Sequence, residues 1–349
     1  MNGRIEAGPA LYTAAFVVPF IVTLAITPVA ARLAHRWGVL DTPGGHKVHA
    51  TAVPYLGGIA VAIGLVLVGS LAAGASGQLV VVLAGALVLA VVGVLDDVWT
   101  VSPWIRVAYE IVAGVSLWAA GIRAGVFDAT WLDLPITVVW VVAVTNAFNF
   151  IDNMDGIAAG VAAASALGIA AIAGRNGDYL VTSMALAVSG AAIGFLRYNL
   201  PPARIFLGDA GSMLLGFLVA SLILKLDLPV GPWPPRVVTT VLLAGVPLFD
   251  MTVVVAARLR DGRPVWSGGT DHTSHRLVAR GHPRARVLVV ATGAQLVCSA
   301  VAFGLYQRST AVTVAALLSL VAGWLVLMWA FLRMPTLIEV VDPAVAGSD

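Results

Sequence analysis

Five aspartates stand where long apolar runs end or begin, and they are the side chains of this chain best suited to chemistry. Asp96 and Asp97 end one run in GVLDDVWT, Asp152 and Asp155 follow another in NAFNFIDNMDG, and Asp209 precedes a third in RIFLGDAGS. One such aspartate is more often a solvated helix end than a functional group. Five of them on one face would repel each other in a partly dehydrated site, so their natural partner is a divalent cation.

The second of these segments has a regular spacing. Asn146, Asn149, Asp152 and Asp155 recur at every third position. On a straight α-helix such residues spread over about half of the circumference, so they converge only if the helix ends within the motif. Gly156 suits a break of this kind. The sequence therefore predicts a broken helix here, and the alternative is an ordinary helix end whose polar residues face water.

Asp209 lies between two glycines and just before an apolar run. This position is typical of a helix cap, and the free amide groups of a helix start also favour phosphate. A carboxylate and a phosphate can share one place only if a metal bridges them. Mg²⁺ with one or two carboxylates, waters and substrate phosphates is the expected form of such a site.

Basic residues that could bind phosphate lie in two loops. The segment from Arg258 to Arg286 holds seven Arg and three His, and within it His272 and His275 are one helical turn apart with Arg276 beside them. This grouping indicates donors to phosphate oxygens. The glycine-containing loop that begins DTPGGHKVH adds Lys47 and His49 as candidate phosphate or nucleotide contacts.

The elements that must position these residues are transmembrane helices. Of the 349 residues, 60% are hydrophobic and 11% are charged, and the mean hydropathy is +0.96. A soluble domain carries about a quarter charged residues, so the sequence predicts an all-α polytopic integral membrane protein. We expect eleven spanning runs, which begin near Leu11, Leu56, Leu79, Trp104, Leu134, Ile157, Tyr179, Phe206, Val237, Val287 and Ala311.

The distribution of Lys and Arg predicts the orientation. One side collects 14 of the 20 basic residues. They are Arg32, Arg36, Lys47, Arg106, Arg197, Arg204, Arg258, Arg260, Arg263, Arg276, Arg280, Arg284, Arg286 and Arg333. By the positive-inside rule that side is cytoplasmic, with the N-terminus outside, the C-terminus inside and the acidic site on the cytoplasmic face. We expect a single transmembrane domain over residues 1–335 and a short cytoplasmic tail over 336–349.

Taken together and in this order, the motifs resemble those of the polyprenyl-phosphate N-acetylhexosamine-1-phosphate transferases, which are of the glycosyltransferase family 4 type. The resemblance runs from about Asp41 to Arg280. It implies a multi-pass enzyme of the plasma membrane that moves a sugar-1-phosphate from a UDP-sugar to a polyprenyl phosphate and releases UMP. Such a reaction is the first membrane step of cell-wall or surface polysaccharide synthesis.

The resemblance also implies roles for individual residues. It makes Asp96 and Asp97 the catalytic pair, and Asp155 and Asp209 the ligands of Mg²⁺, for which Mn²⁺ can substitute. The substrate contacts that it implies are Lys47, His49, Asn149, Asp152, His272, His275 and Arg276. The chain departs from the family pattern at Asn153, where Gly is usual, and at Ser274, where His is common.

The expected partners are a UDP-N-acetylhexosamine, polyprenyl phosphate and the lipid bilayer, with no nucleic acid, and a homodimer stays open. The segments PYLGG and HTSHRL resemble the N-acetylglucosamine branch more than the phospho-N-acetylmuramoyl-pentapeptide transferases, whose members tend to have PTMGG and HHHFE. That second branch is the main alternative. A cation-coupled transporter is an alternative of another class, because intramembrane acids often mark ion pathways, and an inactive scaffold is a third.

Overall fold

The computed structural model describes residues 8–42, 52–73, 76–126, 130–228 and 234–337. Within these ranges the regular secondary structure is helical apart from two short strands, β1 (Leu40–Asp41) and β2 (Val53–Pro54), which pair antiparallel. The helices are α1 (Pro9–Trp37), α2 (Gly57–Ala73), α3 (Gly77–Trp99), α4 (Pro103–Ala119), α5 (Thr130–Ile151), α6 (Ile157–Arg175), α7 (Tyr179–Asn199), α8 (Gly208–Leu224), α9 (Pro234–Leu243), α10 (Gly245–Arg260), α11 (Thr273–Ala279), α12 (Arg284–Leu305) and α13 (Thr310–Leu332). The all-α prediction is confirmed.

Seven helices are long and apolar enough to cross a membrane, and they are α1, α3, α5, α6, α7, α12 and α13. An eighth span results if α9 and α10, which meet at an angle of 81°, are counted as one. The protein is therefore a multi-pass membrane protein. Each of the eleven apolar runs coincides with a helix or with this bent pair. Because α2, α4 and α8 have only 17 residues each, the count of eleven spans stays a prediction.

The centre of the bundle is formed by α6, α7 and α8, and nearly every residue of α8 is buried. Small residues allow the neighbouring helices to come close to the start of α8. A Cβ atom at Gly58 of α2 would overlap the backbone of Gly211, and one at Gly93 of α3 would overlap the backbone of Ala210. Close approach through small residues is how membrane helices gain packing without a hydrophobic driving force. This packing fixes the start of α8 against the end of α3.

The junction of α5 and α6 is the predicted helix break. α5 ends at Ile151, residues 152–156 form a turn, and Gly156 adopts the left-handed backbone conformation with φ +79°. The backbone amide of Gly156 donates to Oδ1 of Asn199, and Nδ2 of the same asparagine donates to the carbonyl of Ile205. The prediction that the helix breaks within the motif is confirmed, and the break turns Asp152 and Asp155 toward the end of the bundle.

The break between α9 and α10 was not predicted, because the sequence shows one continuous apolar run there. Its structural cause lies on α12. The amide of Val246 donates to Oε1 of Gln295, whose Nε2 donates to the carbonyls of Leu242 and Leu243. A buried glutamine thus satisfies backbone groups that a continuous helix would pair internally. The bend directs α10 toward the end of the bundle that carries the aspartates.

Candidate active site

A cavity of about 600 Å³ opens at the end of the bundle where α3 ends, α5 turns into α6 and α8 begins. All five aspartates singled out in the sequence line it, and they are Asp96, Asp97, Asp152, Asp155 and Asp209. Residues from β1, the segment after β2, α11 and the start of α12 complete the wall. The prediction that the acids share one face of the molecule is confirmed.

Asp97 is fixed by the first turn of α8. Its Oδ1 accepts the amide of Asp209 at 2.9 Å and its Oδ2 accepts the amide of Ala210 at 3.3 Å. The cap of α8 is therefore the carboxylate of Asp97, from another helix. The expectation that the side chain of Asp209 caps α8 is wrong, because that side chain bonds to residues of other helices. These two amides are also no longer free for a phosphate.

Arg106 bridges two of the acids. Its Nη1 lies 2.7 Å from Oδ2 of Asp96 and 2.8 Å from Oδ2 of Asp209. Oδ1 of Asp209 accepts from Nδ2 of Asn149 at 2.7 Å, and the same amide nitrogen lies 3.1 Å from Oγ of Ser212. Asp209 is thus held from α4 and from α5 at once, which fixes the direction of its carboxylate.

Asp152 and Asp155 differ in their surroundings, although they are one turn apart. Oδ2 of Asp155 accepts the amide of Ala203 at 3.1 Å and lies 3.8 Å from Nη1 of Arg284. None of the described residues donates a hydrogen bond to the carboxylate of Asp152. Burial, and then the negative charges of Asp209, Asp97 and Asp155, raise the pKa of Asp152 well above its ordinary value. Of these two acids, Asp152 is the one whose negative charge a bound cation would compensate more.

The helix α11 brings His275 into the cavity wall. Its ring is buried, and Nδ1 has no hydrogen-bond partner among the described residues. Burial is the main cause that lowers the pKa of His275 to about 4. His275 is consequently neutral at physiological pH, so it can both donate and accept a hydrogen bond.

The structure does not bring every predicted residue to the cavity. His272 and Arg276 are buried but do not line it. The guanidinium of Arg276 donates to the carbonyls of Asp271, Phe331 and Met334. Asn146 also points elsewhere, since its amide donates to the buried Glu110. Lys47 and His49 lie outside the described residues, as does the tail beyond residue 337. The roles assigned to these residues stay predictions.

Sequence reasoning missed several residues in the cavity wall or in contact with it. Arg106, which contacts Asp96 and Asp209 of the wall, is the most important. A signal for it existed: Ser102 and Pro103 mark a helix start, which places a basic residue one turn inside α4. Tyr55 and Asp41 carried no such signal. Burial, followed by the charge of Asp41 and a hydrogen bond to it, raises the pKa of the Tyr55 phenol. Arg284 was counted only for membrane orientation.

Whether this site suits a metal depends on its donors. Among the described residues, no three His, Cys, Asp or Glu side chains are placed to hold an ion by themselves. Mg²⁺ does not need such a cage, because it keeps several waters and commonly binds through one or two carboxylates and substrate phosphates. Asp152, to which no described residue donates a hydrogen bond, shares a cavity with Asp209. The residues present therefore fit Mg²⁺ in the presence of a phosphate substrate.

Fold and site together define a multi-pass helical membrane protein with a carboxylate-lined cavity at one end of its bundle. Residues 79–227 match the family model described as glycosyl transferase family 4. The chain is 34% identical over 288 residues to the probable undecaprenyl-phosphate N-acetylglucosaminyl 1-phosphate transferase of Bacillus subtilis strain 168, an alignment that covers 79% of this chain and 80% of that relative. The chain belongs to glycosyl transferase family 4, and the resemblance seen in the motifs is confirmed.

Two further relatives have related names. The decaprenyl-phosphate N-acetylglucosaminephosphotransferase of Mycobacterium tuberculosis H37Rv is 30% identical over 311 residues, which are 77% of this chain and 76% of the relative. The undecaprenyl-phosphate alpha-N-acetylglucosaminyl 1-phosphate transferase of Escherichia coli K12 is 27% identical over 293 residues, with 78% of each chain covered. Both names describe transfer of a sugar-1-phosphate to a polyprenyl phosphate.

Proposed function

We propose that this protein is an enzyme that transfers N-acetylglucosamine-1-phosphate from UDP-N-acetylglucosamine to polyprenyl phosphate and releases UMP. One observation carries the proposal: the five aspartates of the motifs line a single cavity together with His275 and Arg284, and Arg106 bridges two of these aspartates. Relatives that align over more than three quarters of the chain bear names describing this reaction. A transporter would place its acids near the bilayer midplane, whereas these lie at helix ends.

The chemistry is an exchange of one diphosphate bond for another. A phosphate oxygen of the lipid attacks the phosphorus that carries the sugar, and the bond from that phosphorus to the oxygen bridging to the nucleotide phosphate breaks. UMP takes that oxygen away with the bonding electrons. The two bonds are alike, so the reaction is nearly isoenergetic. The protein must mainly position two anions and neutralise their charge.

The side chains divide this work between them. Asp96 and Asp97 are both pinned, one by Arg106 and the other by the amides of α8, so each is suited to orient the lipid phosphate or to accept its proton. Arg284 supplies positive charge in the cavity wall, and Arg106 supplies it beside Asp96 and Asp209. Neutral His275 can donate a hydrogen bond to a diphosphate oxygen.

We further propose that Mg²⁺ binds at this site, with Mn²⁺ as a substitute. Asp209 and the Asp152–Asp155 turn would hold it. Asp152 has no hydrogen-bond donor among the described residues, whereas Asp155 already pairs with the amide of Ala203 and with Arg284. The bound ion supplies neutralisation of the diphosphate charge. Excess EDTA should abolish turnover and added Mg²⁺ should restore it. Full turnover in EDTA would show that no metal is required.

The cavity is proposed to face the cytoplasm of the plasma membrane, in a topology of eleven spans. The support is the bias of 14 among 20 basic residues toward the side that carries the cavity. UDP-sugars are made in the cytoplasm, so this orientation gives the donor direct access. It follows that the short helices α2, α4 and α8 are spans as well, with the bent pair counted once.

The choice of sugar is the most specific part of the proposal, and a competition assay tests it together with the reaction. Purified protein with polyprenyl phosphate and Mg²⁺ is given equal amounts of UDP-N-acetylglucosamine and UDP-N-acetylmuramoyl-pentapeptide. We expect UMP release and a lipid product that carries N-acetylglucosamine. A higher kcat/KM for the muramoyl donor would assign the chain to the other branch, and release of UDP instead of UMP would contradict the reaction itself.

A further inference from the structure

Asp250 is a buried carboxylate that the proposed mechanism does not use. It lies on α10, with 1% of its surface exposed. Its Oδ2 lies 2.8 Å from Nδ1 of His272. Its Oδ1 accepts two hydrogen bonds from Thr273, from the amide at 2.7 Å and from the hydroxyl at 2.6 Å. All three bonds therefore go to two consecutive residues at the start of α11.

These bonds define the state of His272. A carboxylate only accepts hydrogen bonds, so Nδ1 of His272 must carry a hydrogen. The ring is also held between Phe150 and His275, with centroid distances of 6.2 Å and 5.6 Å. The fixed tautomer and ring plane give Nε2 a single direction. A carboxylate that accepts from the other ring nitrogen commonly has this effect on a histidine.

The position of α11 depends on such contacts, because it has only seven residues. A helix of this length has no stability of its own in water. Asp250 holds its first residues from one side, and on the other side Oγ of Ser274 donates to Oδ1 of Asn153 in the α5–α6 turn. The next residue, His275, lines the cavity. Both attachments therefore hold the residues next to His275 in the chain, and through them they position the side chain that lines the cavity.

We infer that Asp250 is a positioning residue, which sets the tautomer of His272 and holds α11 so that His275 meets the diphosphate of the nucleotide sugar. The inference rests on the proposed transferase function. It assigns Asp250 to the donor side of the reaction, because α11 carries His275 and is attached to α10 through Asp250 and to the α5–α6 turn through Asn153. Removing Asp250 should weaken binding of the UDP-sugar more than binding of polyprenyl phosphate.

Steady-state kinetics of Asp250→Asn and Asp250→Leu test this assignment. We expect the KM for the UDP-sugar to rise by about tenfold or more, while the KM for polyprenyl phosphate stays within about twofold. Gln295→Leu is the matched control, because Gln295 is equally buried and hydrogen-bonded, but its three bonds to backbone groups lie at the α9–α10 break. It should lower thermal stability without any selective change in KM. Equal changes in both KM values for the Asp250 variants would overturn the inference.

A second measurement does not depend on activity. In protein with ¹⁵N-labelled histidine, the His272 signal, assigned by its loss in His272→Gln, should show the hydrogen on Nδ1, and Asp250→Leu should shift it to the other tautomer or to a mixture. An unchanged tautomer would contradict the role of Asp250. If the Asp250 variants do not fold, Thr273→Val, which removes one of the three bonds, should change the KM for the UDP-sugar in the same direction. If the wild-type protein forms no lipid product, the proposed function is refuted. The histidine signal would still decide whether Asp250 sets the tautomer of His272.

Discussion

At the scale of single residues, Asp209 has a different partner on each carboxylate oxygen: Asn149 on one and Arg106 on the other. Replacing it with asparagine should keep the fold, because the amide oxygen can still accept from Arg106 and a rotated Asn149 amide can accept from the new amide nitrogen. The substitution removes the charge that a metal needs. We expect Asp209→Asn to abolish transfer in purified protein that melts as the wild type does. A residual activity within about tenfold of wild type, equal to about 1.4 kcal/mol of barrier, is too small a loss for a metal ligand and would contradict the assignment.

The matched control for this variant is Asp178→Asn. Asp178 also stands at a helix start, where its carboxylate accepts the amide of Val181, but it lies outside the cavity. An asparagine is an equally good N-cap, so this variant should retain both stability and activity. A comparable loss of activity in Asp178→Asn would mean that the effect at Asp209 is not specific to the site.

His275 should make the stability of the protein depend on pH. Its pKa is about 4 in the folded protein, with burial as the first cause, against about 6.5 in an unfolded chain. Between these values the unfolded state binds more protons, so the free energy of unfolding should fall as the pH is lowered from about 6.5 to 4. Thermal melts in detergent should show a weaker pH dependence for His275→Gln than for wild type. The exposed His35 offers the control, and identical pH slopes in His275→Gln and wild type would contradict the assignment.

The acidic residues of the site could be predicted from the sequence, whereas their partners could not. A charged side chain at the end of an apolar run is energetically costly and therefore rare, so it can be recognised in a single sequence. The bond from Arg106 to Asp209 spans 103 positions, and the one from Asp97 to the amide of Ala210 spans 113. Such pairs depend on helix packing. For the same reason the sequence showed that Arg276 is basic and near two histidines, but not that its guanidinium is directed at backbone carbonyls.

At the scale of elements, the start of α8 depends on Gly208. Its φ is +72°, and a Cβ atom there would lie 2.6 Å from Oδ2 of Asp97. Gly177, in the turn between α6 and α7, has the same φ of +72° but open space around it. Both substitutions to Ala should cost about 1 kcal/mol of backbone strain. Only Gly208→Ala displaces Asp97, so we expect it alone to lower kcat by about tenfold or more.

Thermal melts and rates measured on the two glycine variants separate strain from displacement. Equal activity in Gly208→Ala and Gly177→Ala would show that the contact between Asp97 and the start of α8 has no part in the reaction. A loss of activity in both would point to a general effect of stability on the enzyme.

Helix breaks show which elements a sequence can define. The α5–α6 break was predictable because four polar residues at a spacing of three cannot converge on one site on a continuous helix, and Gly156 follows them. The α9–α10 break was not, since its cause is Gln295, about 50 residues away on α12. The position of α11 was not predictable either, because a seven-residue helix is placed by Asp250 and Asn153 rather than by its own sequence.

At the scale of the whole molecule, the proposed orientation places the α10–α11 loop in the cytoplasm and the α12–α13 turn outside. After Cys298→Ala removes the single cysteine, Gly268→Cys and Ser309→Cys provide exposed probes in these two places. In intact cells an impermeant thiol reagent should label Ser309→Cys but not Gly268→Cys. Permeabilised cells, in which both should react, are the control. External labelling at position 268 would reverse the topology.

The central claim is that a phosphorus atom moves with the sugar, and tracing that atom tests the claim most directly. UDP-N-acetylglucosamine labelled with ³²P at the phosphorus next to the sugar is incubated with the purified protein, polyprenyl phosphate and Mg²⁺. We predict that the label appears in the lipid product and that unlabelled UMP is released, with no label transferred by Asp209→Asn. Label that stays with the nucleotide while the sugar moves to the lipid, or no transfer by the wild type, would contradict the account.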